Sequence, residues 1–227
     1  MRTAVLFSGG KDSCLALKYA KEFTDVVCLI TIQSKNSESY MFHTPNIDLT
    51  SVQAECIGLP IIIQDTLGEK ESELFDLKKA IIKAKNEFNI DGVVTGAIES
   101  VYQASRVQKI CDELNLECFN PLWKRDQLDL LQEILTSFEV IIVGTFAEGV
   151  EDLIGKKIDE SFYLKIIERQ KKYMINPAGE GGELESFVLD APFFNKEILI
   201  KKSKIIKDEG TRILKIEEIK LVDKKNS

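Results

Sequence analysis

The residues of this sequence that are best suited to chemistry lie in the stretch S-G-G-K-D-S, at residues 8–13. The apolar run V-L-F precedes it and an amphipathic segment follows it, so we expect a strand, a tight loop and the start of a helix. Amides at a helix start lack partners within the helix and attract anions. Gly9 and Gly10 let an oxyanion approach the main chain, and Lys11 adds positive charge. The stretch predicts a phosphate-binding loop.

The aspartate of this stretch, Asp12, has the wrong charge for a phosphate pocket unless a cation lies between them. A Mg²⁺ ion bound by Asp12 and by phosphate oxygens would remove the conflict. The hydroxyls of Ser8 and Ser13 are further donors. The alternative is an ordinary glycine turn in which Asp12 or Ser13 caps the helix.

The spacing of this stretch fits neither G-x-x-x-x-G-K-[ST] nor G-x-G-x-x-G, the two commonest nucleotide signatures. It resembles the S-G-G-x-D-S loop of the ATP pyrophosphatases, or PP-loop enzymes. That family cleaves ATP between the α and β phosphates and adenylates a carboxylate or carbonyl oxygen. The resemblance implies catalytic roles for Lys11 and Asp12, with Asp12 on the metal. It implies that ATP is bound by Ser8, Gly9, Gly10, Lys11, Asp12 and Ser13.

Three further stretches sharpen the resemblance. They are H-T-P at residues 43–45, G-A-I-E-S-V-Y-Q-A-S-R at residues 96–106 together with P-L-W at 121–123, and G-E-G-G-E-L-E-S at 179–186. With the loop, they resemble the diphthine:ammonia ligase family from Val5 to about Phe194, with departures at Ala104 and Leu184. The resemblance implies an AMP-forming ligase that amidates the diphthine carboxylate of translation elongation factor 2 with ammonia. Its products would be diphthamide, AMP and pyrophosphate.

A helix is expected to follow the apolar run at residues 92–95, and Glu99, Gln103 and Arg106 would share one of its faces, with Tyr102 one step round. The planar guanidinium of Arg106 suits a phosphate or a carboxylate. With the resemblance, Glu99 and Arg106 are predicted to be catalytic and Tyr102 and Gln103 to bind substrate. A solvated face with an intrahelical ion pair is the alternative.

The single histidine, His43, lies in a polar loop, and the resemblance places it and Gly96 near the nucleotide. His43 and Glu99 are both candidates for a base that helps ammonia to react, and the sequence does not separate them. A surface or packing histidine is the alternative.

Acidic side chains and glycines are interleaved in the stretch at residues 179–186, so its backbone can fold tightly while its carboxylates converge. The family resemblance implies a substrate with a fixed trimethylammonium group, which carboxylates and aromatic rings could hold. An exposed acidic turn is the alternative. The predicted substrate-binding residues here are Glu180, Gly181, Gly182, Glu183 and Glu185.

The net charge of −7 argues against broad contact with nucleic acid, which clustered Lys and Arg would favour. We therefore expect no direct nucleic-acid partner, although a tRNA-modifying PP-loop enzyme and a non-catalytic nucleotide-binding protein stay open as alternatives. No apolar run approaches the ~20 residues that a bilayer requires, and no leader precedes the first strand, so a cytoplasmic protein is expected. Ammonia would come from solution, and homo-oligomerisation is left open.

The elements that must position these residues alternate between short apolar runs and longer amphipathic stretches. This pattern is typical of an α/β fold, in which a parallel sheet carries helices on both faces. We expect a PP-loop ATP-binding domain at residues 1–145 and a substrate-binding α+β subdomain at 146–227, with an antiparallel hairpin about D-E-G-T. Apolar runs, all assigned to the parallel sheet, occur at 3–7, 25–32, 60–64, 92–95, 117–119 and 140–143.

Overall fold

A computed structural model describes residues 1–34, 45–68, 72–208 and 210–224. His43 lies outside these ranges. The chain forms two compact units, Met1–Trp123 and Lys124–Ser227. The division therefore falls earlier in the chain than the expected boundary after residue 145.

The first unit is built on a five-stranded parallel sheet with the strand order β3-β2-β1-β4-β5. Its strands are β1 (Arg2–Leu6), β2 (Asp25–Ser34), β3 (Ile61–Thr66), β4 (Gly92–Val94) and β5 (Glu117–Phe119). Its helices are α1 (Lys11–Phe23), α2 (Thr50–Ile57), α3 (Ser72–Phe88) and α4 (Val101–Leu114). The chain adds strands outward from β1 on one side and then from β4 on the other, which creates a topological switch point between β1 and β4. Ligands of such sheets bind at the carboxyl ends of the strands, at this switch point.

Helices cover both faces of this sheet because successive strand residues point to opposite sides. On one face, Ala4, Ile30 and Val93 join a buried cluster with residues of α3 and α4. On the other, α1 contacts β1 and β2, and the hydroxyls of Thr3 and Thr24 lie 2.8 Å apart. The predicted α/β fold with a parallel sheet is confirmed.

The second unit is built on an antiparallel sheet with the strand order β7-β6-β9-β8. Its strands are β6 (Glu139–Thr145), β7 (Leu184–Asp190), β8 (Lys196–Asp208) and β9 (Thr211–Asp223), and its helices are α5 (Gln127–Ser137) and α6 (Glu160–Tyr173). Strands β8 and β9 form the predicted hairpin. The assignment of residues 140–143 to the parallel sheet was wrong, since this run lies in β6 and pairs with β7 and β9. A continuous buried apolar run looks the same in either kind of sheet.

Within the described ranges, no helix combines the length and the apolar character needed to cross a bilayer. All five cysteines are free thiols, of which Cys118 is partly exposed and the others are buried.

Candidate active site

The loop at residues 8–13 joins β1 to α1 at the carboxyl end of β1. Gly10 is the N-cap of α1, with φ −80° and ψ 168°, and no side chain caps the helix. The amides of the first turn, which begins at Lys11, have no partners within the helix. The start of α1 therefore presents donors and the positive end of the helix dipole, a combination that favours an anion.

The two serines of the loop hold it closed. The Ser8 hydroxyl donates to Ser13 Oγ over 3.2 Å, and Ser13 Oγ donates to the Gly10 carbonyl over 3.0 Å. The Ser8 amide also donates to Ser13 Oγ, over 3.3 Å. The structure thus brings together the two serines predicted from the sequence, and it shows that they fix the shape of the loop.

Gly9 is held in place by a hydrogen bond from Gln53, a residue of α2 that the sequence did not single out. Gln53 Nε2 donates to the Gly9 carbonyl over 2.9 Å, and the Gln53 side chain is fully buried. Gly9 has a φ of +76°, and a Cβ added there would lie 2.1 Å from Gln53 Oε1. Glycine is therefore required at this position both by backbone conformation and by space.

Lys11 and Asp12 form an ion pair in the loop, with 2.6 Å between Lys11 Nζ and Asp12 Oδ2. The Lys11 side chain is almost completely buried, whereas that of Asp12 is about one-third exposed. The other carboxylate oxygen, Asp12 Oδ1, is buried and has no hydrogen-bond partner in the described part of the chain. A buried carboxylate oxygen without a donor is costly, and a cation beside it would offset that cost.

Asp12 therefore fits the predicted Mg²⁺, as one ligand among several. The described ranges contain no group of three or more His, Cys, Asp and Glu side chains that could hold a metal by itself. Mg²⁺ commonly takes one or two carboxylates together with water and substrate phosphates. The donor set suits a metal that arrives with a nucleotide.

Gly96 lies against the start of α1. A Cβ added at Gly96 would lie 2.9 Å from the Asp12 carbonyl carbon and 3.0 Å from the Ser13 amide nitrogen. The preceding residue, Thr95, donates its hydroxyl to Asn120 Oδ1 over 2.5 Å and accepts from the Ala97 amide over 3.2 Å. The segment after β4 is thus fixed against the loop and against the end of β5.

Two cysteines, Cys111 of α4 and Cys118 of β5, interact near the end of β5. A hydrogen bond from the side chain of Cys111, in α4, lowers the pKa of Cys118, in β5. Asn120 also donates to Cys118 Sγ, over 3.8 Å. Burial raises the pKa of Cys14 well above its usual value, so Cys14 stays protonated.

The expected shared face of α4 needs a correction, because Glu99 precedes the helix. Ser100 is the N-cap, its hydroxyl accepts from the Gln103 amide over 3.3 Å, and α4 begins at Val101. The Arg106 guanidinium lies over the Tyr102 ring, 3.3 Å from its centroid. Arg106 and Tyr102 therefore share a face one turn apart, and Glu99 lies in the loop.

The glycine- and glutamate-rich stretch forms a closed loop in the second unit, and Glu183 closes it. Glu183 Oε1 accepts hydrogen bonds from both the amide and the side-chain nitrogen of Asn176, each over 2.9 Å. Backbone bonds from Gly179 to Asn176 and from Gly182 to Gly179 tighten the turn. Glu183 Oε2 is buried and has no hydrogen-bond partner among the described residues. The Glu183 side chain therefore stabilises the conformation of this loop.

The remaining predicted residues of this stretch surround Glu183. A Cβ on Gly181 would lie 2.7 Å from Glu183 Oε1 and 2.8 Å from Asn176 Nδ2, so a larger residue there would disturb the hydrogen bond between these two side chains. Gly182 is exposed with a φ of +80°, and Glu180 lies in the turn, partly exposed. Glu185 lies in β7, opposite Gly144 of β6. The structure places all five predicted residues on one loop and the strand that leaves it.

Family models match nearly the whole chain. The diphthamide synthase N-terminal domain matches residues 1–118, and the diphthamide synthase C-terminal domain matches residues 126–222. A solved structure titled as a predicted subunit of tRNA methyltransferase from Methanocaldococcus jannaschii DSM covers 85% of this chain and 98% of that chain at 18% identity, with a TM-score of 0.44. A similarity of that size supports no conclusion about fold or function.

Three vertebrate relatives named "Diphthine--ammonia ligase" are similar to this chain over most of their own length. The rat and human proteins are 35% and 33% identical to this chain, with 91% of this chain and 85% of each relative covered. The zebrafish (Danio rerio) protein is 34% identical, with 91% of this chain and 89% of the relative covered. Identity at this level over both units, together with the two domain matches, shows that the chain belongs to the diphthamide synthase family.

Proposed function

We propose that this chain catalyses the ATP-dependent amidation of diphthine by ammonia and forms diphthamide, AMP and pyrophosphate. The observation that carries the proposal is the start of α1, where uncapped amides and the Lys11–Asp12 pair lie at the switch point of the sheet. The names of the relatives support the reaction. We further propose translation elongation factor 2 as the protein that carries diphthine, Mg²⁺ as the metal and the cytoplasm as the location.

The loop at residues 8–13 would bind the triphosphate. The first-turn amides of α1 donate to phosphate oxygens, and the buried Lys11 ammonium adds a charge that water cannot screen fully. Asp12 Oδ1 would hold Mg²⁺, which neutralises phosphate charge when bound. Ser8 and Ser13 keep the loop in shape before the nucleotide arrives, so little reorganisation is required on binding.

The reaction proceeds in two steps. The diphthine carboxylate attacks the α phosphorus, the bond to the β-phosphate oxygen breaks, and pyrophosphate leaves. The first-turn amides and Lys11 stabilise the charge that develops on pyrophosphate. Ammonia then attacks the acyl adenylate, which gives the amide, AMP and a proton. Glu99 and His43 are the proposed acceptors of that proton, with the choice between them open.

Two groups of residues would position the diphthine substrate. In the first unit, Arg106 stacks on Tyr102 and keeps a planar cation that suits a carboxylate or phosphate, with Gln103 beside it. Gly96 fits tightly against the start of α1, and this supports a role for the segment after β4 beside the proposed nucleotide. In the second unit, the loop that Glu183 closes presents Glu180 and Glu185, whose charges suit the cationic part of diphthine.

The decisive experiment incubates the chain with ATP, ammonium and diphthine-bearing elongation factor. We expect AMP to form, and the factor to change by the mass difference between a carboxylic acid and its amide. The Asp12→Asn variant keeps the shape of the side chain and loses its charge, so AMP formation should fall by about 10²-fold or more. The matched control is Asp129→Asn, at an exposed position of α5.

Three outcomes would contradict the proposal or a part of it. Binding of ATP without AMP formation would indicate a non-catalytic nucleotide-binding protein. AMP formation that depends on tRNA, with no change in the factor, would indicate a tRNA-modifying enzyme. Full activity of Asp12→Asn would contradict the role of the loop.

A further inference from the structure

Strand β8 is strongly basic in a chain whose net charge is −7. It carries the lysines Lys196, Lys201, Lys202, Lys204 and Lys207, against the acids Glu197 and Asp208. β8 is also the end strand of its sheet, and among the described strands it is hydrogen-bonded to β9 alone. Its other side therefore offers backbone donors and acceptors to a further strand. We call residues 201–208 the β8 edge.

Every residue of the β8 edge is exposed. Lysines on an end strand commonly prevent pairing with other chains, and this would explain the lysines alone. It does not explain Ile205 and Ile206, which are 46% and 45% exposed in the middle of the edge. Exposed adjacent isoleucines on an end strand favour contact with another polypeptide.

Two register pairs of the hairpin bring like charges together, whereas Lys202 lies opposite Glu218 and Lys196 opposite Asp223. In the register of β8 and β9, Lys204 lies opposite Lys215, and Lys207 lies opposite Arg212. Like charges directly opposite each other repel across an antiparallel pair. An anionic partner would relieve this repulsion.

One carboxylate of the hairpin compensates part of the charge. Glu217 lies 3.0 Å from Lys202 and 2.7 Å from Lys204, and these two cations lower its pKa to about 2. Glu217 can offset only one of the two lysine charges that it contacts. Lys201 and Lys207 remain exposed on the same strand, so the edge keeps a net positive charge.

We infer that the β8 edge binds an acidic, extended segment of the protein substrate, which adds to the sheet as a further strand. Backbone hydrogen bonds would supply affinity, and the two isoleucines would add apolar contact. The lysines would select for acidic side chains. The inference rests on the proposed function, since it takes the diphthine-bearing factor as the partner. A second copy of this chain is disfavoured because it would bring the same lysines against each other.

The test is a charge reversal on the edge, Lys201→Glu with Lys207→Glu. KM for the factor should rise roughly tenfold or more, while kcat at saturating factor and KM for ATP stay the same, because the change lies outside the catalytic loop. The matched control, Lys156→Glu with Lys171→Glu, makes the same charge change at exposed positions of the same unit and should leave KM unchanged. A second variant, Ile206→Thr, keeps a β-branched residue and should also raise KM.

The outcomes separate this inference from the proposed function. No AMP formation by the wild-type chain would overturn the function itself. Normal wild-type turnover with an unchanged KM in the edge variants, or an equal rise in the control, would overturn the docking surface alone. A KM defect that disappears when the factor has been treated with ribonuclease would show that the edge binds RNA, which would also overturn the inference.

Discussion

The contact between Gly9 and Gln53 allows a quantitative prediction for Gly9→Ala. The φ of +76° costs an alanine about 1–2 kcal/mol, because L-residues are strained in the left-handed region. The new Cβ would lie 2.1 Å from Gln53 Oε1, so the buried amide must move and lose its hydrogen bond to the Gly9 carbonyl. Loss of a buried hydrogen bond costs about 1–3 kcal/mol. The sum is a loss of about 2–5 kcal/mol in the free energy of unfolding.

The prediction is measured by thermal unfolding and by nucleotide calorimetry. For a chain of this size, the expected loss corresponds to a fall in Tm of roughly 5–15 °C. ATP affinity should fall as well, since the displaced Gln53 side chain no longer holds the loop. The matched control is Gly210→Ala, in the exposed hairpin turn, where φ is +88° and, among the described residues beyond its chain neighbours, no atom lies within 4 Å of the added Cβ. This control variant has the same kind of backbone strain but no steric clash of the added Cβ.

A double-mutant cycle with Gln53→Ala separates the two contributions. If the collision is real, Gln53→Ala removes it, and the double variant is less destabilised than the sum of the single variants. Strict additivity of the two substitutions would refute the reasoning. Equal destabilisation of Gly9→Ala and Gly210→Ala would refute it too, because the loss would then come from backbone conformation alone.

Two further predictions concern other parts of the molecule. Glu183→Ala should destabilise the chain by about 1–3 kcal/mol, because both Asn176 donors lose their acceptor. Glu183→Gln keeps an acceptor and should cost less. Equal Tm values for the two variants would contradict this prediction. Iodoacetamide should modify Cys118 before the other cysteines, and Cys111→Ala should raise the Cys118 pKa, so that the midpoint of the pH–rate profile moves to higher pH. Mass spectrometry measures the site and the rate, and labelling of a buried cysteine first would contradict the assignment.

The parallel sheet and the loop could be predicted because each depends on local sequence. The V-L-F run, the two glycines and the polar residues that follow encode a strand, a turn and a helix start within a dozen residues. The hairpin of the second unit was predictable for the same reason, from two alternating runs about a turn.

Features that depend on tertiary pairing could not be read in this way. Residues 140–143 form a short buried run, and nothing in their composition reveals that β6 pairs antiparallel with β7. Gln53 lies 44 residues from its partner Gly9, and a glutamine in a short helix carries no signal for such a contact. By contrast, the position of Glu99 outside the helix could have been predicted, since S-V-Y-Q has the serine and glutamine spacing of a capping box, which makes Ser100 the N-cap of α4.

The backbone conformation of Gly10 shows how helix stability and anion binding are balanced in this chain. Its φ and ψ are extended, and any residue could adopt them, so conformation does not require glycine there. An aspartate would cap α1, yet its carboxylate would occupy the place of an incoming anion and repel it. Glycine forgoes only a few tenths of a kcal/mol relative to the best capping residues. The chain thus gives up a small amount of helix stability and keeps the anion-binding start of α1 clear of a built-in competitor.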